Sequence, residues 1–194
     1  MAWHSTLACY LSVAFAVAGW YAYLALRGRN DAYVRSALLA SMLLGGVCAF
    51  LQPMSGDLLA KFVFKTQPVK FAAMEGQFKT EKHAPLRIGG WPDEEARETK
   101  YAVEIPGGLS FIATGDSTAE VPGLDRVPRS DWPNVELTHM AFQIMVGAGT
   151  ALMFVSVWFW GAWFWYREHI VKQRWLLRAL CVCAPLGFLG LEAG

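Results

Sequence analysis

The decapeptide Gln67-Pro68-Val69-Lys70-Phe71-Ala72-Ala73-Met74-Glu75-Gly76 sets an ammonium and a carboxylate at the start of a long polar segment between two pairs of hydrophobic runs. Thr66 is a candidate N-cap, Pro68 suits a first helical turn where a missing N–H costs nothing, and Gly76 suits a helix stop. The pattern predicts a short amphipathic helix over Pro68 to Met74. Lys70 and Glu75 lie about 140° apart around such a helix at roughly 100° per residue, so they do not form the i,i+4 pair that neutralises both. Each is left able to hold or deprotonate a polar ligand; the plainer reading is two solvated charges on an interfacial helix.

Three further residues carry ligand chemistry. His4 and Met145 offer an imidazole and a thioether to a metal, and Glu192, flanked by Leu191 and Ala193, is a carboxylate at a membrane edge, where ionisable groups are costly to place. Their plainer readings are an interfacial histidine, a packing methionine and a carboxylate snorkelling at a helix end. Gly147 and Gly149 beside Met145 permit close approach of a flat cofactor or another helix. His83, His139 and His169 are expected to be solvated. No nucleotide-binding loop, nucleophile elbow or His-Glu-x-x-His zinc signature is present.

These residues need elements to position them, and composition indicates which. Of 194 residues 55% are hydrophobic, nine are tryptophan and the net charge is +1, with a mean hydropathy of +0.29; a membrane protein is the class this fits, and the absence of a basic block argues against nucleic acid. All four cysteines fall in hydrophobic runs, which argues against a disulfide framework, and Cys181-Val182-Cys183 lacks a second ligand pair for zinc. Thr6 to Leu26 is long enough to span, and it has no preceding Lys or Arg and no small-residue cleavage site, so it reads as a helix rather than a signal peptide. Ser36 to Met54 is a second span, with Pro53 marking its end. Leu137 to Tyr166 is a third, closing in the aromatic belt Trp158, Trp160, Trp163, Trp165 and Tyr166. Trp175 to Gly194 begins a fourth, which the chain does not close with a polar flank.

The expected fold is therefore an all-α membrane protein of about four transmembrane helices with one long extracytoplasmic loop between helices two and three. The divisions are two helices over 1–54, the loop over 55–136 and two helices over 137–194. Within the loop, Lys100 to Pro106 alternates weakly like a short strand, and Asp93 to Arg97 is a candidate short helix after Pro92. The short connections carry Arg27, Arg29, Arg35, Arg167, Lys172, Arg174 and Arg178 against Asp31 and Glu168. Positive charge on the cytoplasmic side then puts the long loop and both termini outside, on the same membrane face as His4, Met145, Glu192 and the Lys70/Glu75 segment.

Taken in order, Gly56-Asp57, Gln67-Pro68-Val69-Lys70 through Ala72-Ala73-Met74-Glu75-Gly76, Gly90-Trp91-Pro92-Asp93, Phe142-Gln143-Ile144-Met145-Val146-Gly147, Trp175-Leu176-Leu177-Arg178 and Glu192-Ala193-Gly194 resemble consecutive blocks of subunit I of the cytochrome bd-type quinol oxidases. The resemblance runs across nearly the whole chain. It implies that His4 and Met145 are the axial ligands of a low-spin haem b, that Lys70 and Glu75 belong to a quinol-handling loop of the short type, and that Glu192 ligates a high-spin haem b. A His/Met pair raises a haem's potential, which suits an electron acceptor beside a quinol site. Departures are also visible. Gln143 stands where many members have an arginine beside the low-spin haem, and Phe188 where many have a tryptophan. The family's helices before His4, with the histidine for haem d and the acidic proton path, have no counterpart here, nor do those after Glu192.

The resemblance implies a portion of a respiratory terminal oxidase of the bacterial inner membrane, which oxidises quinol and passes electrons through haem b toward oxygen. It would work with the rest of subunit I and a second membrane subunit, the complete complex also holding a high-spin haem b and haem d or a second haem b. The alternatives are a non-catalytic truncated subunit or gene remnant of the same fold, and a small transporter or sensor that needs no haem.

Overall fold

The computed structural model describes residues 2–194, apart from the side chain of Glu168. Four helices in it are long and apolar enough to cross a membrane: Ala2–Leu26, Ala32–Thr66, Val135–Tyr166 and Arg174–Ala193. We call the first three α1, α2 and α5; the last is two segments, α6 (Arg174–Cys183) and α7 (Leu186–Ala193), parted at Ala184-Pro185. Between α2 and α5 lie α3 (Pro68–Glu75) and α4 (Gly108–Thr114), with six short strands. The chain forms two compact units, Met1–Ser55 with Met145–Gly194, and Gly56–Ile144.

In the first unit α1 packs on α6 and α7 around Phe15, Ala18, Leu38, Met42, Leu152, Phe159, Leu176 and Leu180. Small residues set how closely the helices approach. A Cβ on Gly19 would lie 2.5 Å from the Ala184 Cβ, and one on Gly187 would lie 2.6 Å from the Ser12 Cα; glycine is what lets these backbones meet. Large apolar side chains face outward, among them Trp20, Leu43, Val47, Phe154, Val157 and Trp165, as expected of a surface solvated by lipid.

The second unit is built of three nested antiparallel pairs. β1 (Glu81–Lys82) pairs with β6 (Glu120–Val121), β2 (Leu86–Ile88) with β5 (Val103–Ile105), and β3 (Trp91–Asp93) with β4 (Glu98–Lys100). The segment expected to be helical from Asp93 to Arg97 is instead the turn of the innermost hairpin, because the Asp93 carboxylate accepts the Glu95 and Ala96 N–H groups and folds the chain back. The single strand expected from Lys100 to Pro106 is divided between β4 and β5.

Pro53 does not end the second helix as the sequence suggested. It sits inside α2, which continues to Thr66. An interior proline costs about 3 kcal/mol, and the continuation offsets this by burying Val63 against Phe71, Leu109 and Val121, with Leu59 and Phe64 packed alongside. The Phe64 and Phe71 rings meet edge to face at 5.2 Å.

Candidate functional site

The helix expected over Pro68 to Met74 is α3, with one revision at its start. Thr66 belongs to the last turn of α2, and the N-cap position is taken by Gln67, whose side chain makes no capping bond. Pro68 occupies the first turn, and Gly76 ends the helix in the left-handed region at φ 64°, its N–H reaching Ala73 O at 3.2 Å while the Gln77 N–H reaches Ala72 O at 2.8 Å. Two small cores hold the helix. Phe71 enters one with Val63 and Leu109; Ala72 and Ala73 enter the other with Phe78, Leu124 and Val135.

This packing carries Glu75 inside, where it is 4% exposed and its Oε2 finds no hydrogen-bond partner among the described residues. Burial pushes its carboxyl up to about 7, against the opposing pull of the Arg87 guanidinium. Arg87 does not neutralise Glu75 because its charge is committed elsewhere. Its Nε donates to Glu104 at 3.0 Å, its Nη1 donates to the Gln77 Oε1, and its Nη2 lies 3.6 Å from Glu81. Lys70 is exposed, and no ion pair joins it to Glu75. A polar cavity of about 230 Å³ opens beside this end of α3, bordered by Gly76, Thr99, Arg87, Glu81 and Glu104.

The expectation that His139 is solvated is overturned: the ring is fully buried. Its Nδ1 donates to Met74 O at 2.8 Å, and its Nε2 lies 3.2 Å from Gly89 O. One turn further along α5, the Gln143 Oε1 accepts the Gly89 N–H at 3.0 Å and its Nε2 donates to Arg87 O at 3.2 Å. Gln143 thereby pins the chain just after β2. Arg87 and Gln77 escaped the reading of the sequence, and His139 was read only as solvated; the signal that could have raised it was its i,i+4 spacing to Gln143 on an apolar helix.

In the first unit, His4 is half-buried and held through both ring nitrogens. Ser55 Oγ donates to Gln52 O at 2.9 Å, so it accepts from the His4 Nδ1–H at 2.9 Å; the lone pair is then on Nε2, where the Gln52 Nε2–H approaches at 3.2 Å. The Gln52 Oε1 is buried and unpartnered. This is the tautomer a metal-ligating histidine needs, its second nitrogen fixed by a neighbouring oxygen. Met145 is half-buried against the end of α7, with its Sδ 2.9 Å from where a Cβ on Gly194 would stand. Glycine there leaves room at the thioether. Glu192, also on α7, is exposed. An imidazole whose Nε2 lone pair meets only the Gln52 amide, together with a thioether, matches the His/Met pairing of axial haem ligation.

The sequence profile of cytochrome bd terminal oxidase subunit I matches residues 1–194. A Bacillus subtilis (strain 168) protein provisionally named cytochrome bd menaquinol oxidase subunit I is 36% identical over 98% of this chain and 44% of its own length. Cytochrome bd-II ubiquinol oxidase subunit 1 of Escherichia coli (strain K12) is 33% identical over 73% of this chain and 28% of its own. The structure of the bd oxidase from Geobacillus thermodenitrificans superposes with a TM-score of 0.88 at 33% identity, covering 98% of this chain and 44% of that one. The chain belongs to the cytochrome bd terminal oxidase subunit I family, and it spans less than half the length of these relatives.

Proposed function

We propose that this chain supplies the quinol-oxidising, haem-binding part of a respiratory terminal oxidase embedded in the bacterial cytoplasmic membrane. Its long loop and both termini lie on the outer face, and it works with the remaining subunit I helices and a second membrane subunit. The observation that carries the reading is Glu75, a buried carboxyl with an unpartnered oxygen, poised near neutral pH. A general base is most effective with its pKa near the working pH.

Oxidation of a quinol to a quinone releases two protons and two electrons. In this reading the exposed Lys70 ammonium holds one quinol oxygen, and the Glu75 carboxylate takes a proton from a hydroxyl. In this reading the proton then leaves toward the polar cavity bordered by Gly76, the residue after Glu75. Family membership and the donor set support haem b held by His4 and Met145, with Glu192 positioned for a second haem. Bound haem supplies the one-electron acceptor. The protein's own task is to keep the His4 Nε2 lone pair directed by Ser55 and to leave space at the Met145 sulfur. Gln143 is committed to backbone groups of the loop, so in this reading it steadies the quinol segment rather than tuning the haem.

The test is steady-state oxygen uptake with varied quinol, on the assembled oxidase matched for haem. Glu75→Gln lowers turnover by about 100- to 10,000-fold, and Lys70→Ala mainly raises KM because its contact is made in the ground state as well. Wild-type turnover and KM in both variants overturn the reading.

A further inference from the structure

The two ring nitrogens of His139 lie against carbonyls of the two segments that set the environment of Glu75. Met74, whose carbonyl receives Nδ1–H at 2.8 Å, is the residue immediately before Glu75; Gly89, whose carbonyl lies 3.2 Å from Nε2, is two residues past Arg87. Gln143 pins the same stretch through the Gly89 N–H and Arg87 O. At the end of α3, Thr99 Oγ1 donates to Gly76 O at 2.9 Å, and a Cβ on Gly76 would come within 3.2 Å of the His139 Nδ1. A fully buried imidazole is thus wedged where the helix bearing the carboxylate meets the segment bearing the guanidinium that acts on it. A buried polar ring is costly unless it is bonded, and here both ring nitrogens face backbone carbonyls rather than another side chain. Backbone is what has to be held if the Glu75 to Arg87 geometry is to stay fixed.

We infer that His139, assisted by Gln143, is a positioning residue for quinol oxidation: it clasps Met74 to Gly89, and so holds Glu75 dry and at a fixed remove from Arg87. The inference rests on the reading of Glu75 as the proton acceptor. The charges around Glu75 in the clasped state are Arg87 and, around Arg87 itself, Glu81 and Glu104. With the clasp open, water reaches the carboxyl, burial no longer favours its neutral form, and the base titrates closer to the ordinary carboxylate range.

The experiment compares His139→Leu, His139→Gln and Glu75→Gln in the complete oxidase in its membrane, matched for haem by the reduced-minus-oxidised spectrum. Turnover with varied quinol is recorded across pH. The leucine variant loses both ring nitrogens, and with them the N–H that Met74 O accepts. It is expected to keep its haem and lose turnover by about 10- to 100-fold, as misplacement of a reacting group does, with the rise of activity with pH moved to lower pH. The glutamine variant keeps a buried N–H donor but lacks the ring that spans Met74 O and Gly89 O and should fall between, so it carries the test if the leucine variant fails to assemble. Wild-type turnover and an unmoved pH profile in the glutamine variant, or in an assembled leucine variant, overturn the inference. The Glu75→Gln arm separates the two levels: wild-type turnover there sinks the assignment of the base, whereas a large loss there alongside unaffected His139 variants sinks only the clasp.

Discussion

At the scale of single residues, the buried carboxyl of Glu75 carries a stability signature independent of turnover. Its ordinary value is 4.5, and burial raises it to about 7 in the folded chain. Between those two values the unfolded chain has released the proton that the folded chain still holds. Stability associated with this group is therefore fully present below the unfolded value and is lost as pH rises through the folded one. The gap corresponds to about 3 kcal/mol. Thermal melting of the detergent-solubilised protein across that window, compared with Glu75→Gln, should show the wild type losing stability relative to the variant as pH rises. A difference independent of pH would show that the carboxyl is hydrated. The proposed role would set up a tension, since the ionised form needed to accept a proton is the form the fold tolerates least.

At the scale of elements, α3 is an eight-residue helix too short to be stable by itself, and its placement depends on what grips its two ends. At the start that is the packing of Phe71 against α2; at the finish it is the Gly76 turn, Thr99 and His139. Gly76 is the most exacting of these positions. It needs φ 64°, and a Cβ there would lie 2.5 Å from the Thr99 Oγ1. Gly76→Ala is expected to cost about 1–3 kcal/mol and to expose the end of α3. Amide hydrogen exchange over residues 68–77 checks this; faster exchange there, with α1 unaffected, is the expected result. Unchanged exchange would mean that the turn absorbs the methyl group without loosening the helix.

At the scale of the whole molecule, the proposed haem site draws on residues far apart in sequence. His4 comes from the first turn of α1, while Gln52 and Ser55, which orient it, come from α2; Met145 lies on α5 and Glu192 on α7. His4→Ala and Met145→Ala should each abolish the low-spin haem b signal of the assembled oxidase, because each removes one of the two axial ligands that keep the iron low-spin. The spectrum should otherwise retain its high-spin component. An unchanged low-spin spectrum in both variants would reject the ligand pair. The outward-facing Phe154, Val157 and Trp165 are what a chain of apolar helices immersed in lipid presents.

The sequence by itself determined the membrane class, four spans, the short helix after Gln67 and the family. Those features rest on runs of apolar residues, on local turn chemistry and on motif order, all readable along the chain without knowing what folds against what. Tertiary structure decided the rest. Pro53 is a helix breaker by local rules, yet α2 continues because Leu59, Val63 and Phe64 gain packing partners contributed by residues 71–121. The Asp93 to Arg97 stretch looks helical by composition, but two N–H groups folded onto the Asp93 carboxylate make it a hairpin turn. The sequence marked Glu75 for chemistry but not as buried, and read His139 as solvated, because burial is a property of neighbours brought from elsewhere in the chain. Whether a carboxyl titrates near 4.5 or near 7 depends on which distant residues exclude water from it, and no spacing of residues within the decapeptide encodes that.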